Sequence, residues 1–281
     1  MYLLARYEFC AFQKFRHQSL NFVNTVMKVT ATQLPITKKL EANIDAIEQC
    51  VNDGQGYILT GEGSLSGYFA PPVINDMHNV NELMEAERYL VGVATQQSKQ
   101  LLLGTGWMEP DGMPYNQVRV YDNGYKGAYN KRLLTTTIHG GGERNAYLPG
   151  WAPFVFDLPN NHKGGVLICN DIWATPTVSP TGNPYYVNRL SRMGVDVLFC
   201  SVNCNVGGRV PWDQTIYTWH ENHLQMYARS FNMHIVVSGS SLSMSGEEIK
   251  KLQCPLGVLD PNGDWVAKLD LGQPNATVEI K

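Results

Sequence analysis

Residues Val166-Leu167-Ile168-Cys169 form an unbroken apolar run with no alternation between faces. A strand with one wet face alternates apolar and polar side chains, whereas a strand without alternation is covered on both faces. A chain carrying such a strand must supply packing layers on each side of a sheet. Its other segments read as those layers. Residues 29–33, 57–59, 100–104, 118–121, 195–200 and 234–238 are short and rich in β-branched or aliphatic side chains, as strands are. Between them Leu40, Ile44, Ile47 and Val51 fall at helical spacing, as do Leu83, Ala86, Leu90 and Val91, and Leu224, Tyr227, Ala228 and Phe231. A short helix is expected at 188–193. Asp260-Pro261-Asn262-Gly263-Asp264 reads as a hairpin turn between 256–259 and 265–267. Strands alternating with helices in this way specify an α/β layered fold. Residues 69–79, 109–115 and 175–185, punctuated by Pro or Gly, read as surface loops.

No internal repeat and no low-complexity linker divides the 281 residues, so one domain is expected over 27–281. Residues 1–26 carry Arg6, Lys14 and Arg16 but no apolar h-region and no cleavage site, which excludes a secretory signal. They read as an N-terminal extension in preference to a mitochondrial presequence. No stretch of about 18 apolar residues occurs, so no membrane span is expected. Twenty-two basic against 25 acidic residues leave a net charge of −3. Without a basic excess to hold a phosphate backbone, nucleic acid is not an expected partner. A nearly neutral surface permits self-association. The six cysteines are scattered rather than paired, so neither a disulfide framework nor a zinc ribbon is expected, and a cytoplasmic setting is.

Cys169 ends the apolar run and is followed by the polar Asn170-Asp171. Two readings stand. A nucleophile on a strand-to-helix turn is exposed at a sheet edge with a backbone N–H beside it. A free cysteine is also a small buried hydrophobe. A serine-hydrolase reading fails, because Gly63-Ser64-Leu65-Ser66-Gly67 has Leu at the nucleophile position. His220 and His223 are three apart rather than four and read as a solvated helix face, not a metal site. No phosphate-binding glycine loop follows a strand. Glu62 lies just beyond strand 57–59, and Lys131 follows a strand-like stretch ending in Tyr129-Asn130. With Cys169, all three lie at carboxyl ends of strands, where α/β sheets place their crevice. Each alone is an ordinary loop residue. Together they supply base, oxyanion clamp and nucleophile for amide cleavage.

These segments resemble the carbon–nitrogen hydrolase family, the nitrilase superfamily, over roughly residues 27 to 270. Gly61-Glu62-Gly63-Ser64-Leu65-Ser66-Gly67-Tyr68 is similar to the family's Glu motif, although Gly61 stands where Pro is usual. Tyr129-Asn130-Lys131-Arg132-Leu133-Leu134 is similar to its Lys motif, and Val166-Leu167-Ile168-Cys169-Asn170-Asp171 to its Cys motif. The resemblance implies a four-layer αββα sandwich and a cysteine-dependent hydrolase that cleaves the C–N bond of a small amide through a thioester. It implies Glu62 as base, Lys131 with the Asn170 backbone N–H as oxyanion donors, Cys169 as nucleophile and Glu143 as a second glutamate. No metal or cofactor is implied. Tyr68, Asn170, Trp173, Asn203 and Trp212 are candidate pocket residues, and equally candidate packing residues. Cys-Asn-Asp in place of the nitrilases' Cys-Trp-Glu leans toward amide or carbamoyl substrates over nitriles. The stretch after Cys169 lacks the Arg that N-carbamoyl amino acid hydrolases carry, which leans toward a neutral amide. The family's dimers or larger assemblies make a homo-oligomer the expectation. A catalytically inactive binding or scaffold protein of the same fold is the reading from another class.

Overall fold

The structure is a computed structural model and describes residues 26–68, 80–135, 142–173, 186–203, 213–243 and 246–281. Residues 1–25, Cys204, Trp212 and the whole of the expected loops at 69–79 and 175–185 lie outside the described residues. The strands are β1 Met27–Leu34, β2 Tyr57–Leu59, β3 Gln100–Met108, β4 Pro114–Tyr121, β5 Tyr125–Asn130, β6 Val155–Asp157, β7 Lys163–Ile168, β8 Val197–Ser201, β9 His234–Ser240, β10 Gly257–Leu259, β11 Trp265–Lys268 and β12 Asn275–Ile280. The helices are α1 Leu40–Asp53, α2 Val80–Gln96, α3 Asn170–Trp173, α4 Tyr186–Arg192 and α5 Gln214–Phe231.

The 12 strands make one hydrogen-bonded ladder in two halves. One half runs β5-β4-β3-β2-β1-β12, the other β6-β7-β8-β9-β10-β11. They join only where the end of β1 pairs in parallel with β9, Gln33 opposite Gly239 and Leu34 opposite Ser240. The halves face each other: the ring of Tyr57 on β2 lies 6.5 Å from that of Phe156 on β6 and 6.4 Å from that of Phe199 on β8.

Period-2 alternation sorts the layers. Tyr57, Leu59 and Leu102 enter the core between the half-sheets, while Ile58, Leu101 and Leu103 turn outward onto Ile47, Leu83 and Leu90 of α1 and α2. On the far side Leu224, Tyr227 and Ala228 of α5 pack into the core of the second half-sheet. The order is helix, sheet, sheet, helix, the expected αββα sandwich. The apolar stripe of α5 is therefore consumed by its own sheet. That helix starts on Asp213, whose Oδ1 accepts from Thr215 N at 2.7 Å, and ends on Asn232 in the left-handed region.

Two strands escape the sequence pattern. β12 is mixed in polarity, and β6 has three residues, so neither shows a sustained period. β3 runs past the expected 104 because Thr105 and Gly106 interrupt the apolar signal, and β4 starts before the expected 118 because Asn116 and Gln117 are polar. Pro114 and Tyr115, expected in a loop, pair with Met108 and Trp107. The solvated-face reading of His220 is corrected: it is 5% exposed, with Nδ1 at 2.9 Å from the carbonyl of Gln253. Burial pushes its pKa down to about 4. His220 continues the Leu224, Tyr227 and Phe231 stripe by one turn, so the helix turns it inward.

Where the halves join, the backbones nearly touch. A Cβ on Gly61 would sit 2.8 Å from Gly239 Cα, and one on Gly104 would sit 2.1 Å from the carbonyl oxygen of Gly61. Gly61 leaves room that no side chain at this position would. Hydroxyls stitch the same seam: Ser201 Oγ donates to Thr60 O at 2.9 Å and Ser238 Oγ accepts from Thr32 N at 2.9 Å, while Thr32 Oγ1 donates to Leu59 O at 2.9 Å within the first half. Gly104→Ala should therefore destabilise the protein by about 3 kcal/mol, the upper end for overpacking, because the obstructing atom is backbone. Urea unfolding reads this directly. A variant as stable as the parent would show that the seam has room to open.

Candidate active site

The loops leaving β2, β5 and β7 converge beside this seam. Each brings one charged or nucleophilic side chain. Glu62 follows Thr60-Gly61, and its backbone N–H donates to Val202 O at 3.3 Å, which anchors the turn to the loop after β8. Lys131 follows β5. Its N–H donates to Asn116 O and its carbonyl accepts from Gly150 N, both at 2.8 Å. Glu143 opens a 3-10 turn, Glu143–Asn145, on the segment that follows.

The side chains meet out of water, with Glu62 and Lys131 at 0% exposure. Lys131 Nζ donates to Glu62 Oε1 at 2.6 Å and to Glu143 Oε1 at 2.8 Å, with Glu143 Oε2 at 2.7 Å. Asn116 Nδ2 donates to Oε1 of both glutamates at 2.8 Å. Glu143 Oε2 also accepts from the N–H and the hydroxyl of Thr135, at 2.8 and 3.0 Å. Glu62 Oε2 accepts from the Asn203 N–H at 3.1 Å.

This unequal donor supply separates the two carboxyls. Burial pushes Glu62 well above the usual carboxylate range, and the charges of Cys169 and Glu143 add to that against the pull of Lys131. Burial also works to raise Glu143, but Lys131 and the Thr135 N–H overcome it, and its pKa falls. Lys131 is held well above the ordinary lysine range, because Glu143 and Glu62 outweigh its desolvation. The cluster is thus a fixed anion, a fixed cation and one carboxyl able to exchange a proton.

Cys169 occupies the turn between β7 and α3 with φ +43°, in the left-handed region. A non-glycine residue there is strained by roughly 1–2 kcal/mol. The turn is held by Cys169 N donating to Ser201 O at 2.9 Å and Ile172 N donating to Cys169 O at 3.1 Å. Cys169 is 7% exposed. Beneath it Asp171 clamps the elbow to the lysine loop. Its carboxyl accepts from Leu133 N at 2.6 Å, Arg132 N at 3.1 Å, the Tyr129 hydroxyl at 2.9 Å and Ile168 N at 3.4 Å. Burial lifts Asp171 to about 6 despite these donors.

The expected pocket residues divide. Tyr68 is half-buried, and burial, then the charges of Glu143 and Glu62, push its hydroxyl pKa well up, which places it against the cluster. Asn203 meets the cluster through its backbone. The Asn170 side chain donates to Leu133 O at 3.0 Å and serves as a second clamp on the lysine loop. Trp173 packs toward the helix layer, its ring tilted against His220 at 4.3 Å and Trp219 at 6.3 Å of α5. Asn116, Thr135, Asp171 and Tyr147 were not singled out from sequence. Tyr147 is buried, and its hydroxyl is raised by burial and then by Glu143 and Glu62. One signal was present: Asn116 shares the inward face of β4 with Val118 and Val120, and a buried amide among valines asks for partners. Among the described residues no His, Cys, Asp and Glu group is arranged to hold a metal, and no helix is long and apolar enough to cross a membrane.

The sequence matches no protein-family model and no curated protein. Solved structures do match. An amidase from Nesterenkonia sp. superposes with a TM-score of 0.69 at 18% identity over 93% of each chain. A mutant of that amidase, carrying the acetamide moiety of fluoroacetamide on its active-site cysteine, superposes with a TM-score of 0.70 at 18% identity, over 92% of this chain and 91% of that one. The glutamine-dependent NAD+ synthetase from Acinetobacter baumannii superposes with a TM-score of 0.69 at 20% identity. The match covers 92% of this chain and 46% of the synthetase, so the chain spans about half the length of that protein. The fold is that of the nitrilase-superfamily amidases.

Lys131→Met tests the electrostatic reading. It leaves two buried carboxyls without their cation, which should cost about 3–5 kcal/mol. Both glutamates would then have folded-state pKa values above their unfolded ones, so stability should fall as pH rises from about 4 through those values. Urea unfolding at pH 5 and pH 8 is expected to show the variant weaker at pH 8. Equal losses at both pH values would mean that Lys131 is not neutralising the pair.

Proposed function

We propose that this protein hydrolyses the C–N bond of a small neutral amide through a thioester on Cys169. One observation carries the reading: a buried Glu62–Lys131–Glu143 cluster whose Glu62 and Lys131 feel the charge of Cys169, a cysteine held in left-handed backbone. Cys169 gives its proton to Glu62, whose buried carboxylate is basic enough to take it. The thiolate adds to the amide carbonyl carbon. The oxyanion lies against Lys131 and the Asn170 backbone N–H, each good donor contributing about 3–4 kcal/mol. As the C–N bond breaks, Glu62 returns the proton to the leaving nitrogen and ammonia departs. Water then gives a proton to Glu62 and adds to the thioester. The carboxylic acid leaves, and the sulfur regains its proton from Glu62. Glu143 keeps Lys131 charged throughout.

A neutral substrate is supported by the charge already present. Glu143 is matched to Lys131, so a substrate carboxylate would need another cation or lose several kcal/mol to desolvation. Arg144, Arg189 and Arg192 are exposed, and the Arg132 guanidinium stacks over Tyr186 at 4.2 Å. Arg209 lies outside the described residues. The Nesterenkonia amidase, which shares the fold, has been captured with butyramide and with an acrylamide adduct on its cysteine. Both are small and uncharged.

Ammonia release from a panel of amides, N-carbamoyl amino acids and nitriles tests the assignment. A small primary amide should give the highest kcat/KM. An N-carbamoyl amino acid or a nitrile above every amide would overturn the substrate class. Cys169→Ala should lose roughly 10⁴-fold or more in turnover while keeping its melting temperature. A fully active Cys169→Ala protein would end the mechanism.

A homodimer or larger assembly belongs to the same reading. With the α5 stripe spent on its own sheet, Met193, Ile216 and Met226 are the exposed apolar side chains on or beside α4 and α5. Light scattering should give at least twice the 31.4 kDa chain mass. A strict monomer removes this part.

A further inference from the structure

Asn116 bonds both carboxyls of the site and the backbone of its lysine. Its amide nitrogen spends one hydrogen on Glu62 Oε1 and the other on Glu143 Oε1, both at 2.8 Å. Its backbone carbonyl accepts the Lys131 N–H at 2.8 Å. The amide can sit in only one orientation. Turned over, its oxygen would face two carboxyl oxygens. In the orientation observed that oxygen, Oδ1, is buried with no hydrogen-bond partner, so the strand tolerates an unsatisfied acceptor to keep both hydrogens on the glutamates.

The donors lost with this amide would not be missed equally. Glu143 would keep Lys131 and both Thr135 donors. Glu62 would keep Lys131 and a single 3.1 Å bond from the Asn203 N–H. A donor bonded to a carboxylate favours its charged form, and Glu62 is the carboxyl that must lose its proton to act as a base. From this we infer that Asn116 is a positioning residue that makes Glu62 available as the base at neutral pH, and that it does so without touching substrate. The inference rests on the Glu62–Cys169 chemistry proposed above. Asn116 lowers the proton affinity of Glu62, aligns its Oε1 with Lys131 and leaves Oε2, which accepts the single Asn203 N–H, as the oxygen that takes the proton.

The test is the pH dependence of Cys169 alkylation by iodoacetamide, read as mass gain on the Cys169 peptide. The thiolate displaces iodide and forms an S–CH2 bond, and its proton passes to Glu62. In the parent, the rate should fall through a midpoint that Glu62→Gln abolishes. Asn116→Leu, close in volume and without donors, should move that midpoint up by on the order of one pH unit. Asn116→Ser keeps one short donor and should move it up by less, and it stands in should the Leu variant not fold. A residue that only supports the fold would lower the extent of labelling in a less stable protein and leave the midpoint in place. A midpoint that is unmoved, moves down, or survives Glu62→Gln overturns the inference while leaving Cys169 as nucleophile. Absence of labelling at Cys169 at every pH in the parent overturns the nucleophile reading, and this inference with it.

Discussion

An ammonium with no exposure to water governs the rest of this molecule. Burying Lys131 alone would cost several kcal/mol, and no single carboxylate repays that unless the geometry is good and the remaining hydrogen-bonding sites are filled. Two carboxylates, an asparagine amide and the Thr135 N–H and hydroxyl do the filling. Those partners come from four separate segments of the chain. The arrangement persists only if the segments are held to a fraction of an ångström, and the clamps visible around it do that. Asp171 ties the lysine loop to the cysteine elbow, Asn170 repeats the tie, and Glu62 N is pinned to Val202 O.

The sandwich supplies the rigidity. Strands β1, β2, β3 and β7, β8, β9 are parallel within each half, and the halves meet in parallel at β1 and β9. Their carboxyl ends therefore open on one side, and loops from both halves reach the same point. Close approach at the Gly61–Gly104–Gly239 seam brings Thr60 against Ser201 and the glutamate turn against the loop after β8. Strain at Cys169 is tolerated for the same reason, since Ser201 and Ile172 hold the turn from either side.

Charge is divided by donor supply more than by residue type. Two glutamates share one lysine, yet one is saturated with donors and the other is not. A site built this way holds its cation charged and leaves Glu62 as the carboxyl able to exchange a proton.

Some of this was legible in the sequence, because local pattern reports local environment. The unalternating run before Cys169 required cover on both faces, and the helical stripes of α1, α2 and α5 identified what could cover it. Glu62, Lys131 and Cys169 stood out because each follows a strand and their residue types suit one chemistry, whereas Glu143 was expected only from the family resemblance. Other features carried no local mark. Trp173 read equally as a pocket or a packing residue and His220 as a surface one, and the packing of α3 on α5 turned them toward each other. Asn116, Thr135 and Asp171 are ordinary polar residues whose work depends on groups far along the chain. What the sequence alone determined was the α/β layering and which residues are candidates for chemistry, since period and residue type are properties of short segments. Tertiary structure alone decided which carboxyl holds the proton, since that depends on donors brought together across 54 residues between Glu62 and Asn116 and 69 between Glu62 and Lys131. Their energies exist only once water has been excluded from between them.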